Sequence, residues 1–446
     1  MSAPRILLAP THRTELANAL AATISEAVAR QGRSVRYHHL GVLPPPTAWD
    51  RWEGSSFLDP SLYDTSMLLD LYDRTTRGAQ LSVLSSNRGL FDSEEDAPWT
   101  PAEIARDLDA PIVLVADCRG WGTGFDALLR GFNDRAGEMN LEGVVLTGVE
   151  DVAQRQLLRA ALANSGVPVV GCLYQGGEPG WDSFPTGAGG TSVNDQVFES
   201  VYKSVDVPGL EALAGQRGFL AGSAGVAQTD DFGPLILVAG GRGFTPWSRD
   251  SIEILRAAGA RVRRLDLLED SEIPAEAAGL VMAGHLWVDA LEEIAMNYSL
   301  MRHVRVCISE GLPTLALGGG MLYLLKELQD PRGRTHHLAG LFPSRGEIIA
   351  DLEQAEYLEL EAVRDNVLFR EGDMVRGWLT SDTEVVGSPV SQSLPFRVGV
   401  PGGSESRQEG VSAAKMVASR VLFHLASAPH AVERLVEACR DYSKSI

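Results

Sequence analysis

The sequence has few cysteines and no cysteine pattern that is typical of a cross-link or a metal site. Only 4 of its 446 residues are cysteine. They are Cys118, Cys172, Cys307 and Cys439, with no CxxC pair and no histidine at metal-ligand spacing. This spacing argues against a disulfide framework and against zinc. Each cysteine lies in an apolar stretch, which is typical of a small buried side chain in a reducing compartment.

Basic residues and long apolar runs are also scarce. Lys and Arg number 39 against 59 Asp and Glu, which gives a net charge of −20. Such a surface repels phosphate backbones and anionic lipid, so we expect neither a nucleic-acid nor a membrane partner. The first residues lack the apolar core of a signal peptide, and no run approaches the ~18 apolar residues of a membrane span. We therefore expect a cytoplasmic protein.

Hydrophobic residues make up 44% of the chain, which is enough for two or three packed domains. In the first half, short apolar runs alternate with amphipathic stretches, which predicts a doubly wound α/β sheet. The predicted strands are 5–9, 34–37, 81–85, 111–117, 143–147 and 167–172, and the predicted helices are 15–31, 102–108, 124–132 and 153–163.

A second α/β pattern begins after a stretch rich in Gly, Ala and Ser. This stretch predicts domains at 1–214 and 234–446, joined by a linker at 215–233. Predicted strands at 235–239, 261–265, 279–282 and 313–317 alternate with helices at 251–258 and 290–311. β-type alternation follows after Gly340, and a long helix is predicted from Ala413 to Tyr442.

Several segments resemble one enzyme family. The stretch 102–132 (AEIARDLDAPIVLVADCRGWGTGFDALLRGF), the stretch 279–324, Arg376-Gly377 and the tail GVSAAKMVASRVLFHLASAP are similar to cobyrinic acid a,c-diamide synthases. These are two-domain tetrapyrrole amidotransferases, and the similarity covers nearly the whole chain in order. It implies an N-terminal P-loop-type, dethiobiotin synthetase-like sheet and a C-terminal class I glutamine amidotransferase-like sheet.

The resemblance also implies an ATP site, and the groups for it are largely missing. Ala17 stands at the position of the P-loop lysine, Asn18 at that of the Mg²⁺-binding hydroxyl, and Ser85 at that of a Mg²⁺-binding acid. Glu15 adds negative charge where phosphates would lie. ATP and Mg²⁺ are therefore not expected as cofactors. The family's acidic positions survive at Asp92 and Asp117, the latter followed by Arg119.

The glutaminase groups implied by the resemblance are missing as well. The nucleophilic cysteine of a tight strand-to-helix turn corresponds to Gly318, and the catalytic base corresponds to Leu422. The oxyanion-hole loop reads Ala283-Gly284-His285. His424 is retained, but it has no nucleophile to serve, and Cys307 lies within a predicted helix. Glutamine hydrolysis by the family's mechanism is therefore not expected.

These observations favour a folded pseudoenzyme, because the catalytic groups are lost while the apolar periodicity is intact. We hypothesise that the cleft between the two halves binds a tetrapyrrole. Trp247 and Trp378 would stack on the ring, and Asp92, Asp117 and Arg119 would line the cleft. His285 would be an axial metal ligand, or would pack against its neighbours Leu286 and Trp287 or cap a helix.

Two alternatives remain open. One is a non-catalytic scaffold or partner subunit of another enzyme, and the other is an ATP-dependent amide synthase that uses external ammonia. The resemblance also suggests a homodimer.

Overall fold

A computed structural model describes most of the chain, and the described residues fall into two compact units, one formed by those up to residue 216 and one by those from residue 232 onward. The described residues are 3–41, 56–139, 141–163, 165–174, 195–216, 232–246, 249–349, 355–380, 383–386, 394–403, 406–413 and 415–445. The predicted linker lies almost entirely outside these ranges, and Trp247 lies outside them too. No helix in the described ranges is long and apolar enough to cross a membrane.

The described residues of the first unit form seven strands and seven α-helices. The strands are β1 (Arg5–Pro10), β2 (Val35–Leu40), β3 (Ser56–Leu58), β4 (Leu81–Ser85), β5 (Ile112–Asp117), β6 (Leu141–Val149) and β7 (Val169–Tyr174). The helices are α1 (Leu16–Arg30), α2 (Thr65–Thr76), α3 (Pro101–Asp107), α4 (Phe125–Ala136), α5 (Val152–Leu162), α6 (Asp195–Ser204) and α7 (Val207–Ala214).

All seven strands of this unit form one parallel sheet in the order β3-β2-β4-β1-β5-β6-β7. Every residue of β1 and β4 is buried, as expected for central strands covered on both faces. Side-chain caps fix where the helices start. Asp64 accepts from Met67 N at α2, and Thr100 and Glu103 form a capping box at α3. The predicted α/β class is confirmed.

The second unit contains a second α/β layer followed by a β-rich region. Its helices are α8 (Arg249–Ala257), α9 (Leu291–Met296), α10 (Tyr298–Ser309), α11 (Gly319–Tyr323) and α12 (Pro429–Ser443). Its first strands are β8 (Leu235–Gly240), β9 (Phe244–Pro246), β10 (Arg261–Asp266), β11 (Ala277–Leu286) and β12 (Thr314–Gly318). The stretch 290–311, predicted to be mostly helical, forms two helices, because Asn297 ends one and caps the next.

The remaining strands of the second unit are short. They are β13 (Leu325–Gln329), β14 (Thr335–His337), β15 (Phe342–Ile348), β16 (Ala355–Ala362), β17 (Met374–Thr380), β18 (Thr383–Val386), β19 (Phe396–Gly399), β20 (Ser406–Glu409), β21 (Val411–Ala413), β22 (Met416–Ser419) and β23 (Leu422–Phe423). The main sheet has the order β10-β8-β11-β12-β22-β21, with β9 paired to β11. Two smaller sheets have the orders β14-β13-β15-β18 and β20-β19-β16-β17-β23.

The long helix predicted from Ala413 to Tyr442 is wrong. Only its second half is helical, as α12, whereas Met416–Ser419 is a strand that pairs in parallel with β12. All four residues of β22 are buried, because it lies between β12 and β21. A short, continuously apolar run fits a buried strand as well as a buried helix, so periodicity alone could not separate the two.

Candidate functional site

The turn between β1 and α1 is held in place by backbone hydrogen bonds to another segment. Thr14 N donates to Asn87 O at 2.9 Å, and Leu90 N donates to Pro10 O at 2.9 Å. These bonds tie the turn to the segment after β4. Ala17 is fully buried in the first turn of α1, where a lysine is needed to reach a phosphate.

Glu15 takes part in a polar network at the start of α1. Its carboxylate accepts from Asn18 Nδ2 at 2.7 Å and from Asn87 Nδ2 at 2.8 Å. Asn18 Oδ1 in turn accepts from the Ser85 hydroxyl at 2.7 Å, and the Tyr37 hydroxyl lies 2.8 Å from Ser85 Oγ. We call this set (Tyr37, Ser85, Asn18, Glu15 and Asn87) the Glu15 network.

The Glu15 network does not fit MgATP. Asn18 and Ser85 stand at the two positions where the resemblance implies Mg²⁺ ligands, and they bond directly to each other. A carboxylate lies at the helix N-terminus, where a phosphate would otherwise be favoured. Neither a lysine nor a Mg²⁺-binding carboxylate is present at the positions of Ala17, Asn18 and Ser85, so these residues offer no ligands for MgATP.

His39 adds a buried imidazole beside this network. It pairs with Ser85 in the β2–β4 register, and its Nδ1 lies 3.0 Å from Gly41 O. Burial lowers the pKa of His39 to about 4, although the bond to Gly41 and the charge of Glu15 oppose that shift. The imidazole is therefore neutral at neutral pH and adds no cation for a phosphate.

Asp92, Asp117 and Arg119, predicted from the sequence, lie beside this turn. The Asp92 carboxylate packs over Gly89 near the His12 backbone. Asp117 ends β5 and accepts from Arg119 Nε at 2.8 Å and from Arg119 N at 3.0 Å. Burial disfavours the charged form of Asp117, but the bonds and charge of Arg119, together with the charge of His12, outweigh it and hold the pKa of Asp117 below its ordinary value.

In the second unit, Gly318 forms a sharp turn between β12 and α11. Its backbone has φ 55° and ψ −118°, a conformation that is costly for residues with a side chain. This is the strand-to-helix geometry that presents a nucleophile in many hydrolases. The turn is therefore preserved, but glycine supplies no group that can attack a carbonyl carbon.

Leu422 fills the space in front of this turn. A Cβ added to Gly318 would lie 2.9 Å from both Cγ and Cδ2 of Leu422 and 3.0 Å from Gly284 O. The next two residues are equally confined, because a Cβ on Gly319 would overlap Leu286 N and one on Gly320 would overlap the Met282 carbonyl. The Leu422 side chain and the backbone of β11 thus occupy the space that the side chains of a nucleophile and a base would need.

The segment Ala283-Gly284-His285, expected as an oxyanion-hole loop, is instead part of β11. Gly284 and His285 pair with Pro246 and Thr245 of β9, which extends the strand to Leu286. The His285 ring stands edge-on to Trp287, with centroids 4.8 Å apart. The structure therefore shows the packing contact with Trp287, while axial metal ligation by His285 stays a prediction.

Trp378 and His424 are both interior. Trp378 is 5% exposed on β17, where it pairs with Tyr357 and Leu422. His424 is fully buried; its Nδ1 accepts from Ala426 N at 3.1 Å, and its Nε2 lies 3.8 Å from the Asp250 carboxylate. Trp378 offers little ring surface to a ligand, and His424 holds the chain before α12.

Cys307, also considered from the sequence, is not placed to act as a nucleophile. Cys307 lies on α10, where burial raises the pKa of its thiol. Throughout the described ranges no three His, Cys, Asp or Glu residues are grouped so as to hold a metal ion. The acid–amide network around Glu15 was not predicted. Its signal in the sequence was that Asn18 and Ser85 stand at two positions where the resemblance implies Mg²⁺ ligands, and two ligands of one ion must lie close together.

The described residues form a two-unit α/β protein with one strand-to-helix turn after β1 and another after β12. No family model matches the chain. A cobyrinate a,c-diamide synthase from Syntrophotalea carbinolica is 24% identical over 99% of this chain and 100% of its own length. Hydrogenobyrinate a,c-diamide synthases from Streptomyces coelicolor and Mycobacterium tuberculosis are 27% and 28% identical, over 98% and 85% of this chain and of their own.

The chain is therefore a homologue of the cobyrinate and hydrogenobyrinate a,c-diamide synthases, and the kinship predicted from the sequence is confirmed. Among solved structures, PurLQS from Thermotoga maritima is 14% identical with a TM-score of 0.33, over 47% of this chain and 99% of its own. A glutamine amidotransferase is 16% identical with a TM-score of 0.34, over 47% of this chain and 100% of its own.

Proposed function

We propose that this protein is a non-catalytic relative of the a,c-diamide synthases that binds a tetrapyrrole carboxylic acid and hydrolyses neither glutamine nor ATP. The observation that carries the proposal is the contact between Gly318 and Leu422. These residues occupy the nucleophile and base positions and pack against each other, and the turn itself keeps its geometry. Loss of both groups within an intact turn favours retention of the fold for binding rather than for catalysis.

The Glu15 network supports the same proposal in the first unit. The residues at the lysine, hydroxyl and acid positions are Ala17, Asn18 and Ser85, and the last two satisfy each other by a hydrogen bond. Such a turn is stable without nucleotide, because its polar groups already have partners. We propose that the first unit is a structural remnant of a nucleotide domain that now serves only as a binding surface.

The relatives carry names that specify corrinoid substrates, cobyrinate and hydrogenobyrinate. These ligands are broad rings with carboxylates at the rim, and they suit a site with apolar contacts and a few polar groups. We therefore propose a corrinoid or related tetrapyrrole as the ligand, bound for transport, for protection or for delivery to an enzyme.

The test is a UV–visible titration of the purified protein with cobyrinic acid, cobalamin, sirohaem and haem. A saturable shift of the absorption bands with at least one of them, unchanged by MgATP and glutamine, is expected. A flat response across the panel would contradict the proposal and would favour a scaffold that binds another protein. Tetrapyrrole-dependent release of phosphate would instead identify an ammonia-using synthase.

A further inference from the structure

An exposed tryptophan lies in the loop that follows Asp117 and Arg119. Trp121 is 42% exposed, although its backbone is firmly held. Trp121 N donates to Cys118 O at 3.1 Å, and Gln154 Nε2 donates both to Trp121 O at 2.9 Å and to Cys118 O at 3.0 Å. The indole stands edge-on to Phe125, with centroids 5.7 Å apart. The loop therefore presents a large aromatic surface in a fixed position.

Apolar surface continues from this loop onto α5. Leu157 is 42% exposed, and its Cδ2 would lie 4.0 Å from a Cβ on Gly122, so it adjoins the loop. Ala153 and Ala160 lie on the same face of α5, four residues before and three after Leu157, and both are exposed. Because Ala153 and Ala160 are small, they leave the exposed Leu157 side chain accessible to a flat ligand that also contacts the indole.

A fixed cation lies two residues before Trp121. The Arg119 side chain is 62% exposed, and its Nε and Nη2 donate to Asp117. Gly148, at φ +65°, leaves room for this pair, since a Cβ there would lie 2.7 Å from Arg119 Cγ and 2.8 Å from Asp117 Oδ1. None of these bonds uses Nη1. The guanidinium is thus held by one edge and has a further N–H group with which to pair a carboxylate.

We propose that Trp121, Leu157 and Arg119 form the surface that binds the tetrapyrrole, a surface we call the Trp121 platform. This inference rests on the proposed function and names its site. The indole and Leu157 contact the apolar face of the macrocycle, and Arg119 pairs with a carboxylate at its rim. Because hydrogen bonds already order the loop, little conformational entropy is lost on binding.

The experiment compares titrations of the full-length protein and four variants with cobyrinic acid and with its heptamethyl ester. Trp121→Ala should weaken binding of both ligands about tenfold, and Trp121→Phe should retain most of the affinity. Arg119→Gln should weaken binding of the acid about two- to fivefold and leave the ester unchanged. Tyr202→Ala is the matched control, because Tyr202 is 45% exposed on α6 and lies outside the Trp121 platform.

The outcomes separate this inference from the proposed function. If the native protein binds cobyrinic acid and Trp121→Ala binds it as Tyr202→Ala does, the Trp121 platform is wrong and the proposed function stands. If the native protein binds no tetrapyrrole, both are wrong. Equal losses for acid and ester in Arg119→Gln would overturn the ion pair, and circular dichroism of each variant excludes misfolding as the cause of a loss.

Discussion

Replacing Gly318 by alanine should destabilise the second unit strongly. The substitution puts a Cβ into a backbone with φ 55° and ψ −118°, which costs about 1–3 kcal/mol. The same Cβ would lie 2.9 Å from Leu422 Cγ and Cδ2 and 3.0 Å from Gly284 O, and overpacking of this kind costs about 1–3 kcal/mol. The expected loss is about 2–6 kcal/mol, a large part of the about 5–15 kcal/mol that stabilises an ordinary domain.

Hydrogen–deuterium exchange is the assay, because the two units need not unfold together and exchange reports the local free energy of opening. Protection of β12 and β22 should fall in Gly318→Ala. The matched control is Gly372→Ala, at φ +86° with no atom within 4 Å of the added Cβ, which tests backbone strain alone. Its cost should be about 1–2 kcal/mol.

A double-mutant cycle isolates the contact with Leu422. In a Leu422→Ala background the alanine at position 318 meets less side chain, so Gly318→Ala should cost about 1–3 kcal/mol less than in the native background. Additive costs, or a Gly318→Ala variant as stable as Gly372→Ala, would refute the claim that Leu422 fills the nucleophile's space.

Three further outcomes follow from the two sites. Ser85→Ala leaves buried Asn18 Oδ1 without its donor and should lower the free energy of unfolding by about 1–3 kcal/mol in urea titrations, whereas an unchanged stability would mean that the Glu15 network is dispensable. Arg119→Gln should raise the pKa of Asp117, measured by carboxyl carbon NMR, because burial then acts without the opposing bonds and charge of Arg119. The stability that the Asp117–Arg119 pair contributes is present above the ordinary carboxyl pKa and is lost as the pH falls through the pKa of the folded state. An unchanged pKa of Asp117 in the variant would contradict this. The native protein should not react with an electrophilic glutamine analogue. The double variant Gly318→Cys/Leu422→His should become labelled at the introduced thiol, and Gly318→Cys alone should react poorly. Labelling of the native protein would show that another residue acts as a nucleophile.

The sequence predicts most of the first unit, because its strands are short apolar runs between turn residues. It did not predict β3, α2, α6 and α7. β4 is found at the predicted residues 81–85, and α5 differs from its prediction by one residue at each end. It predicts the region after residue 320 poorly. There β22 is a central strand with both faces buried, and such a run carries no alternation that would separate it from a helix.

The candidate sites were also predicted only in part from the sequence. The sequence identifies the lost groups, because Gly318 and Ala17 cannot perform the chemistry that their positions require. It does not reveal what replaced them, since Leu422 against Gly318 and Asn18 against Ser85 are contacts between segments far apart in the chain. Nor does it separate exposed from buried aromatic residues, so Trp378 was predicted as a ligand contact and Trp121 was not.

One experiment tests the central claim, that the protein binds a tetrapyrrole and does not transform it. The protein is incubated with cobyrinic acid, MgATP, glutamine and ammonium, while the absorption spectrum and the mass of the corrinoid are followed. We expect a saturable shift of the corrinoid bands and a corrinoid recovered with all its carboxyl groups intact. An amide in the recovered corrinoid would contradict it and would show that the protein is a working synthase.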